Sequence, residues 1–266
     1  GGIEVADGEL DFISDLSNKN QISVINGTLR VQGEITNASS TGFIAGENAT
    51  FRFSGGFTNN GAVALSFGTS RVFGDIDNDG GTITVSGASN VTFYDDVVNE
   101  GTIHVSAGTN AVYFGAVSGS GSFSGSGTNF FEGVLAPGSS SGMMSFGGNV
   151  VLGPLSTTTI ELAGTSVGEY DRLLVAGVLD VNGELQIELL DGFLPADDAR
   201  FQIFNAGTLS GMFSSVLLPE LSGNLSWDHS DLYSRGTLSV IPEPATLTLL
   251  AVGTLLARGR RRAQRA

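Results

Sequence analysis

Four glycines, Gly61, Gly81, Gly101 and Gly121, stand 20 residues apart, and no other feature narrows the fold of this chain as much. Three further columns share the step: Asn59, Asp79 and Asn99; Phe53, Phe73, Phe93 and Tyr113; and Ser70, Asn90 and Asn110. After each glycine comes an alternating run, such as Thr82-Ile83-Thr84-Val85 and Thr102-Ile103-His104-Val105. A constant period of this kind describes one structural unit stacked on copies of itself.

A unit of about 20 residues holds roughly three short strands and three corners at about 3.3 Å per strand residue. One unit alone cannot bury its inward side chains. Stacked at about 4.8 Å, successive units pair as parallel sheets and equivalent side chains lie over one another. The expected inward columns are Val63, Ile83, Ile103 and Phe123; Leu65, Val85 and Val105; and the Phe53, Phe73, Phe93 and Tyr113 series. Thr82, Thr84 and Thr102 should face outward, and the Asn and Asp columns should occupy corners, where left-handed backbone is tolerated. The expected fold class is all-β, a parallel β-helix with rungs of about 20 residues. A β-sandwich of short strands is the rival, but a sandwich needs no fixed step.

The charge of −15 is unevenly placed. Residues 1–241 hold 7 Lys/Arg against 26 Asp/Glu, a net −19, while residues 242–266 hold five Arg against one Glu, a net +4. An acidic body repels phosphate backbones, which excludes nucleic acid as a partner. With no cysteine, neither disulfides nor thiolate chemistry contribute. Gly1 is not an initiator methionine, and residues 1–30 lack a basic segment followed by an apolar run. A leader removed earlier, or a start inside a longer protein, is therefore expected.

Irregular early copies, among them Gly42-Phe43-Ile44, suit the worn end of a stack, so residues 1–141 form the expected repeat domain. The Gly/Ser-rich stretch at 118–141 reads as a last narrow rung and a corner, since Phe123, Phe130 and Phe131 keep the pattern going. From Met143 the strands lengthen and lose the step, and Asn182-Gly183 is a hairpin signal. Residues 142–241 are thus expected to be a C-terminal β cap or sandwich covering an open sheet edge. Here Leu135-Ala136-Pro137-Gly138-Ser139, Glu169-Tyr170-Asp171, Gly192-Phe193-Leu194-Pro195, Gly211-Met212-Phe213 and Leu225-Ser226-Trp227-Asp228 resemble the closing region of exported bacterial β-helix proteins. Those proteins are autotransporter-passenger-like and often end in a PEP-CTERM tail. A short tail follows here in place of a translocating β-barrel, so the resemblance does not imply self-transport.

That tail, residues 242–266, has three parts: Pro242-Glu243-Pro244, the apolar residues 245–257, and Arg258, Arg260, Arg261, Arg262 and Arg265. The prolines interrupt a strand, the apolar part would enter lipid as a transmembrane helix, and the arginines would stay on the cytoplasmic side. Thirteen uncharged residues make about 20 Å of helix against a hydrocarbon core of about 30 Å, a gap that flanking residues and snorkelling narrow. The order resembles the PEP-CTERM sorting signal, which implies an exosortase-type sorting protease as partner, passage through the membrane, and a surface or extracellular address.

Within the body, Asp75-Ile76-Asp77-Asn78-Asp79-Gly80 matches the opening half of a calcium loop, although Ser86 stands where the bidentate Glu belongs. Asp75, Asp77 and Asp79 are the candidate calcium ligands, and a plain acidic corner is the competing reading. Two histidines, His104 and His229, are too few for a three-histidine metal site, and no Gly-x-Ser-x-Gly elbow accompanies them. No cluster of basic residues marks a polysaccharide-cleaving groove. These residues point to an exported structural or adhesive component of the cell surface or matrix, non-enzymatic, with exopolysaccharide as its surroundings. A carbohydrate-binding or carbohydrate-active β-helix and a calcium-stabilised adhesin are the alternatives.

Overall fold

The middle of the body shows how the alternating runs fold. One turn consists of Thr82–Ser86, Asn90–Phe93 and Val97–Asn99, and the next of Thr102–Val105, Asn110–Tyr113 and Val117–Ser118. Each strand pairs in parallel with its counterpart one turn on. A computed structural model of the chain, describing residues 2–138 and 140–243, carries this parallel pairing from Ile3 to Leu217. First and second strands build an 18-stranded sheet, and third strands build a 10-stranded one. Left-handed residues such as Asn26, Asn48 and Gly87 turn the chain between the first and second sides. The fold is a parallel β-helix, and its pairing removes the sandwich alternative. Apart from one helical turn, Leu232–Arg235, the described regular structure is all β.

Register explains the columns. Val63 lies beside Ile83, Ile83 beside Ile103, and Ile103 beside Phe123, all at most 6% exposed, and Leu65, Val85 and Val105 form the second inward file. The glycines also stack: Thr82, Thr102 and Ser122 each donate an N–H to the carbonyl of Gly61, Gly81 and Gly101 at 2.9 Å. A Cβ on Gly101 would collide with the Gly81 carbonyl oxygen, so the close approach of backbones requires glycine.

Single-residue insertions shift the other columns. The aromatic file is Phe51, Val72, Phe93, Tyr113 and Phe131, because the step from Phe51 to Val72 is 21 residues, and Phe73 consequently points outward. Asn78, not Asp79, stands between Asn59 and Asn99, since Gly80 (φ 70°) adds a residue to that corner. Likewise Thr69, not Ser70, aligns with Asn90, and Ser70 is buried with its hydroxyl accepting the Ala49 N–H. The corrected asparagine column is a continuous buried ladder. Nδ2 of Asn18, Asn37, Asn59 and Asn78 donates to Oδ1 of the next asparagine at 2.7–2.8 Å, ending at Asn99.

The expected boundary at 141 does not interrupt the stack. Ser122 pairs with Ser145, Met143 with Arg172, and Leu173 with Phe204, all in parallel. These steps are 23, 29 and 31 residues, the excess lying in loops and in the third strands Thr157–Leu162 and Glu184–Leu189, which lengthen to 6 residues. Asn182-Gly183 is a corner and not a hairpin, because Arg172–Val181 and Glu184–Leu189 belong to different sheets. The antiparallel closing element is smaller than expected: Arg200–Gln202, Leu225–Asp228 and Thr237–Pro242. It packs Phe201, Leu238 and Val240, fully buried, near the last turns, where Phe204 takes a backbone bond from its own N–H to Gly236.

Asn78→Ala should cost about 2 kcal/mol, because it leaves the buried Asn59 amide without its acceptor and takes from Asn99 Oδ1 one of its two donors, the Gly101 N–H remaining. Asn90→Ala, which breaks the exposed bond from Asn110, should cost under about 1 kcal/mol. Urea melts of the two variants measure the contrast.

Candidate functional site

Between the second and third sides the chain turns through Ser54-Gly55-Gly56 and Gly74, which contribute almost no side chain. The corner therefore sinks into an open groove of about 1040 Å³. Arg30 and Arg52, neighbours in register, form one wall, and Thr58, Asp77 and Val98 form the other. Glu34, Asp75, Asp95 and Asp96 also line it.

Most of these charges already serve the stack. Arg30 pairs with Glu9 at 2.9 Å, and the Arg52 guanidinium lies 4.3 Å over the Phe73 ring. Phe73 stacks on Tyr94 at 4.3 Å, and Tyr94 on Phe114 at 5.6 Å, making an outer aromatic ladder beside the groove. The carboxylates cap backbone N–H groups of neighbouring turns: Asp95 takes Gly74 at 2.7 Å, Asp96 takes Ala116 at 2.7 Å, and Asp75 takes Asp96 at 3.3 Å. The acidic corner is a set of inter-turn hydrogen bonds.

The calcium ligands expected at Asp75, Asp77 and Asp79 are not brought together. Ile76–Asn78 is an extended strand, so alternate residues stand about 6.6 Å apart in a row, whereas a calcium loop needs its carboxylates folded onto one point. Asp79 instead accepts the Asn60 side-chain amide at 3.0 Å. Burial, then Asp79 and Glu100, pushes the Asp77 carboxyl above its usual range. Among the described residues no group of three His, Cys, Asp or Glu is gathered for a metal ion.

Elsewhere, His104 Nδ1 meets Ser124 Oγ at 3.0 Å on the outer face. His229 sits in the turn before Leu232–Arg235, its carbonyl accepting the Leu232 N–H. Among the described residues no carboxylate hydrogen-bonds either ring, so no nucleophile–base–carboxylate alignment forms around them. At the far end, Pro242 closes its strand opposite Leu225, and the Glu243 N–H donates to the Asn224 carbonyl at 2.8 Å. Both residues are exposed. Pro244, the apolar residues 245–257, and Arg258, Arg260, Arg261, Arg262 and Arg265 lie outside the described residues. No described helix is long and apolar enough to cross a membrane.

Sequence reasoning assigned no role to Asp171, which is 1% exposed. Its two carboxylate oxygens accept the Gly142 N–H at 2.6 Å and the Glu161 N–H at 2.8 Å, tying its own loop to the residue before Met143 and to the strand Thr157–Leu162. Burial pushes this carboxyl up to about 7 against the lowering effect of those two N–H groups. The neighbouring Glu161 is also raised, by burial and then by Glu188. No protein-family model and no curated protein matches the chain.

The raised Asp171 carboxyl sets a direction for pH dependence. A group whose folded value exceeds its unfolded value, here about 7 against 3.8, contributes stability that is complete below about pH 4 and lost as pH rises through 7. Thermal melts at pH 5 and pH 8 should show the higher midpoint at pH 5. Asp171→Asn should shrink that difference; an undiminished difference would assign it to other carboxylates.

Proposed function

We propose that this protein is an exported, non-enzymatic structural or adhesive column of the cell surface or extracellular matrix, addressed by its tail. The observation that carries the reading is where the chain leaves the body. Pro242 is the last residue of the last paired strand and Glu243 adds one more backbone bond, to Asn224, and both are exposed, so the Pro-Glu-Pro stretch starts on the final bonds of the ladder. Pro244 has no N–H with which to extend such a ladder, and the exposed Pro242-Glu243 pair is accessible to a sorting protease. The apolar residues 245–257 would cross the membrane transiently, with Arg258, Arg260, Arg261, Arg262 and Arg265 as the cytoplasmic stop.

The body supports a passive role. Its buried amides bond to one another, its corner carboxylates bond to backbone N–H groups, and its groove arginines are paired or stacked. Strong negative charge keeps such a column soluble and separate from its neighbours. Extracellular polysaccharide is the medium it would work in.

Truncation after Glu243 should leave the melting temperature of the body unchanged and release the protein from the envelope fraction of an expressing bacterium that has a sorting protease. Pro244→Ala should retain the tail, seen as an unprocessed intact mass. Retention at the envelope without residues 244–266 would overturn the proposal.

A further inference from the structure

The outer surface of the second side differs from the rest of this acidic molecule. Four successive turns place there the strands Asn90–Phe93, Asn110–Tyr113, Thr128–Phe131 and Asn149–Leu152, and none contains Asp, Glu, Lys or Arg. Register aligns their outward residues in rows. Thr92, Val112, Phe130 and Val151 form one row, bounded by Arg71 at one end and Asp180 at the other. Asn90, Asn110, Thr128 and Asn149 form the row beside it. On the other flank run Tyr94 and Phe114, the latter 49% exposed at the end of the aromatic ladder. The next charge, Glu132, leans along the axis toward Gly153.

We propose that this strip binds a single extended chain of uncharged polysaccharide, an inference that rests on the extracellular reading above and names its partner class. The strip has the two surfaces a sugar ring presents. Amide and hydroxyl groups can exchange hydrogen bonds with sugar hydroxyls, and Asn110 uses its amide on Asn90 Oδ1 at 2.7 Å, so its own Oδ1 remains as an acceptor. The apolar row and the aromatic flank receive the C–H faces of the rings. Charge selects among polymers: a body near −19 repels polyanions, and a strip whose strands hold no carboxylate gives a polycation no ion pair, so an uncharged chain is the one that fits. Size selects against a globular partner. Four turns at about 4.8 Å and five residues at about 3.3 Å give roughly 19 by 16 Å, on the order of 300 Å², far short of the roughly 800 Å² per partner of a stable protein interface.

Native gels containing a linear β-glucan, a galactomannan, a dextran or a polyuronate test this with the purified full chain in mild detergent. At least one uncharged polymer should retard the protein and the polyuronate should not. Val112→Asp and Phe114→Ala should each weaken retardation at least tenfold with the melting temperature kept within a few degrees. Thr84→Asp, on the neighbouring side, should leave it unchanged. Retardation by none of the uncharged polymers, or retardation equal in wild type, Val112→Asp and Phe114→Ala, would overturn the proposal. The gel assay does not depend on the tail, so its failure is separate from failure of the envelope-release experiment.

Discussion

Register between turns is the constraint on which the rest of this molecule depends, and the buried asparagine ladder is what holds it. In a stack of parallel strands a slip of one residue would turn every inward side chain outward. Apolar columns resist such a slip only through size and shape. An asparagine carries a donor and an acceptor on one short arm, so it can bond to the same residue above and below. A misaligned turn would leave both groups buried and unpaired. Asn37, Asn59, Asn78 and Asn99, all at 0% exposure, make the alternative registers costly.

Where the ladder stops, the means of holding register change. The position after Asn99 is Gly119, whose backbone (φ 103°) packs on Asn99 too closely for a side chain. From there the core relies on aromatic packing: Tyr113, Phe123, Phe131 and Phe146 contact one another with ring centroids 4.5–6.4 Å apart. Beyond them, long strands such as Arg172–Val181 span two sides at once, joined by an irregularity between Val175 and Val178. Asp171 then ties its own loop to Gly142 and to the strand Thr157–Leu162. The polar zipper, the aromatic cluster and the loop clamp succeed one another along a single core.

How much of this was readable in the residues depended on whether the step stayed constant. Gly61 to Gly121 and Val63 to Phe123 were readable because the intervening corners have equal length. Phe73, Asp79 and Ser70 were misplaced because one extra residue in a corner moves a side chain to the opposite face without disturbing the apparent period. The strands after Met143 looked like a separate domain because loops and longer third strands stretch the step to 29 and 31, yet parallel pairing is indifferent to loop length. The Asp75, Asp77 and Asp79 spacing was misleading for a related reason: it counts residues, while ligation depends on whether the chain between them is bent or extended. The uncharged strip could not be seen in a linear reading, since Thr92, Val112 and Phe130 become neighbours only through stacking.

The same stacking explains how one fold separates its surfaces. Each turn contributes the same corner and the same side, so a bias in one position of the repeat is copied along the axis. Carboxylates at the corner between the second and third sides recur as Asp15, Glu34, Asp75, Asp95 and Asp96, and several hold the neighbouring turn through its N–H groups. Their accumulation there makes that edge repel other acidic surfaces, its own copies included. Asn90, Asn110, Thr128 and Asn149 recur on the second side, where no such repulsion arises. A repeat therefore does for surface chemistry what it does for the core. It turns a choice made once, in some twenty residues, into a continuous edge that keeps other molecules away and a continuous strip that lets one approach.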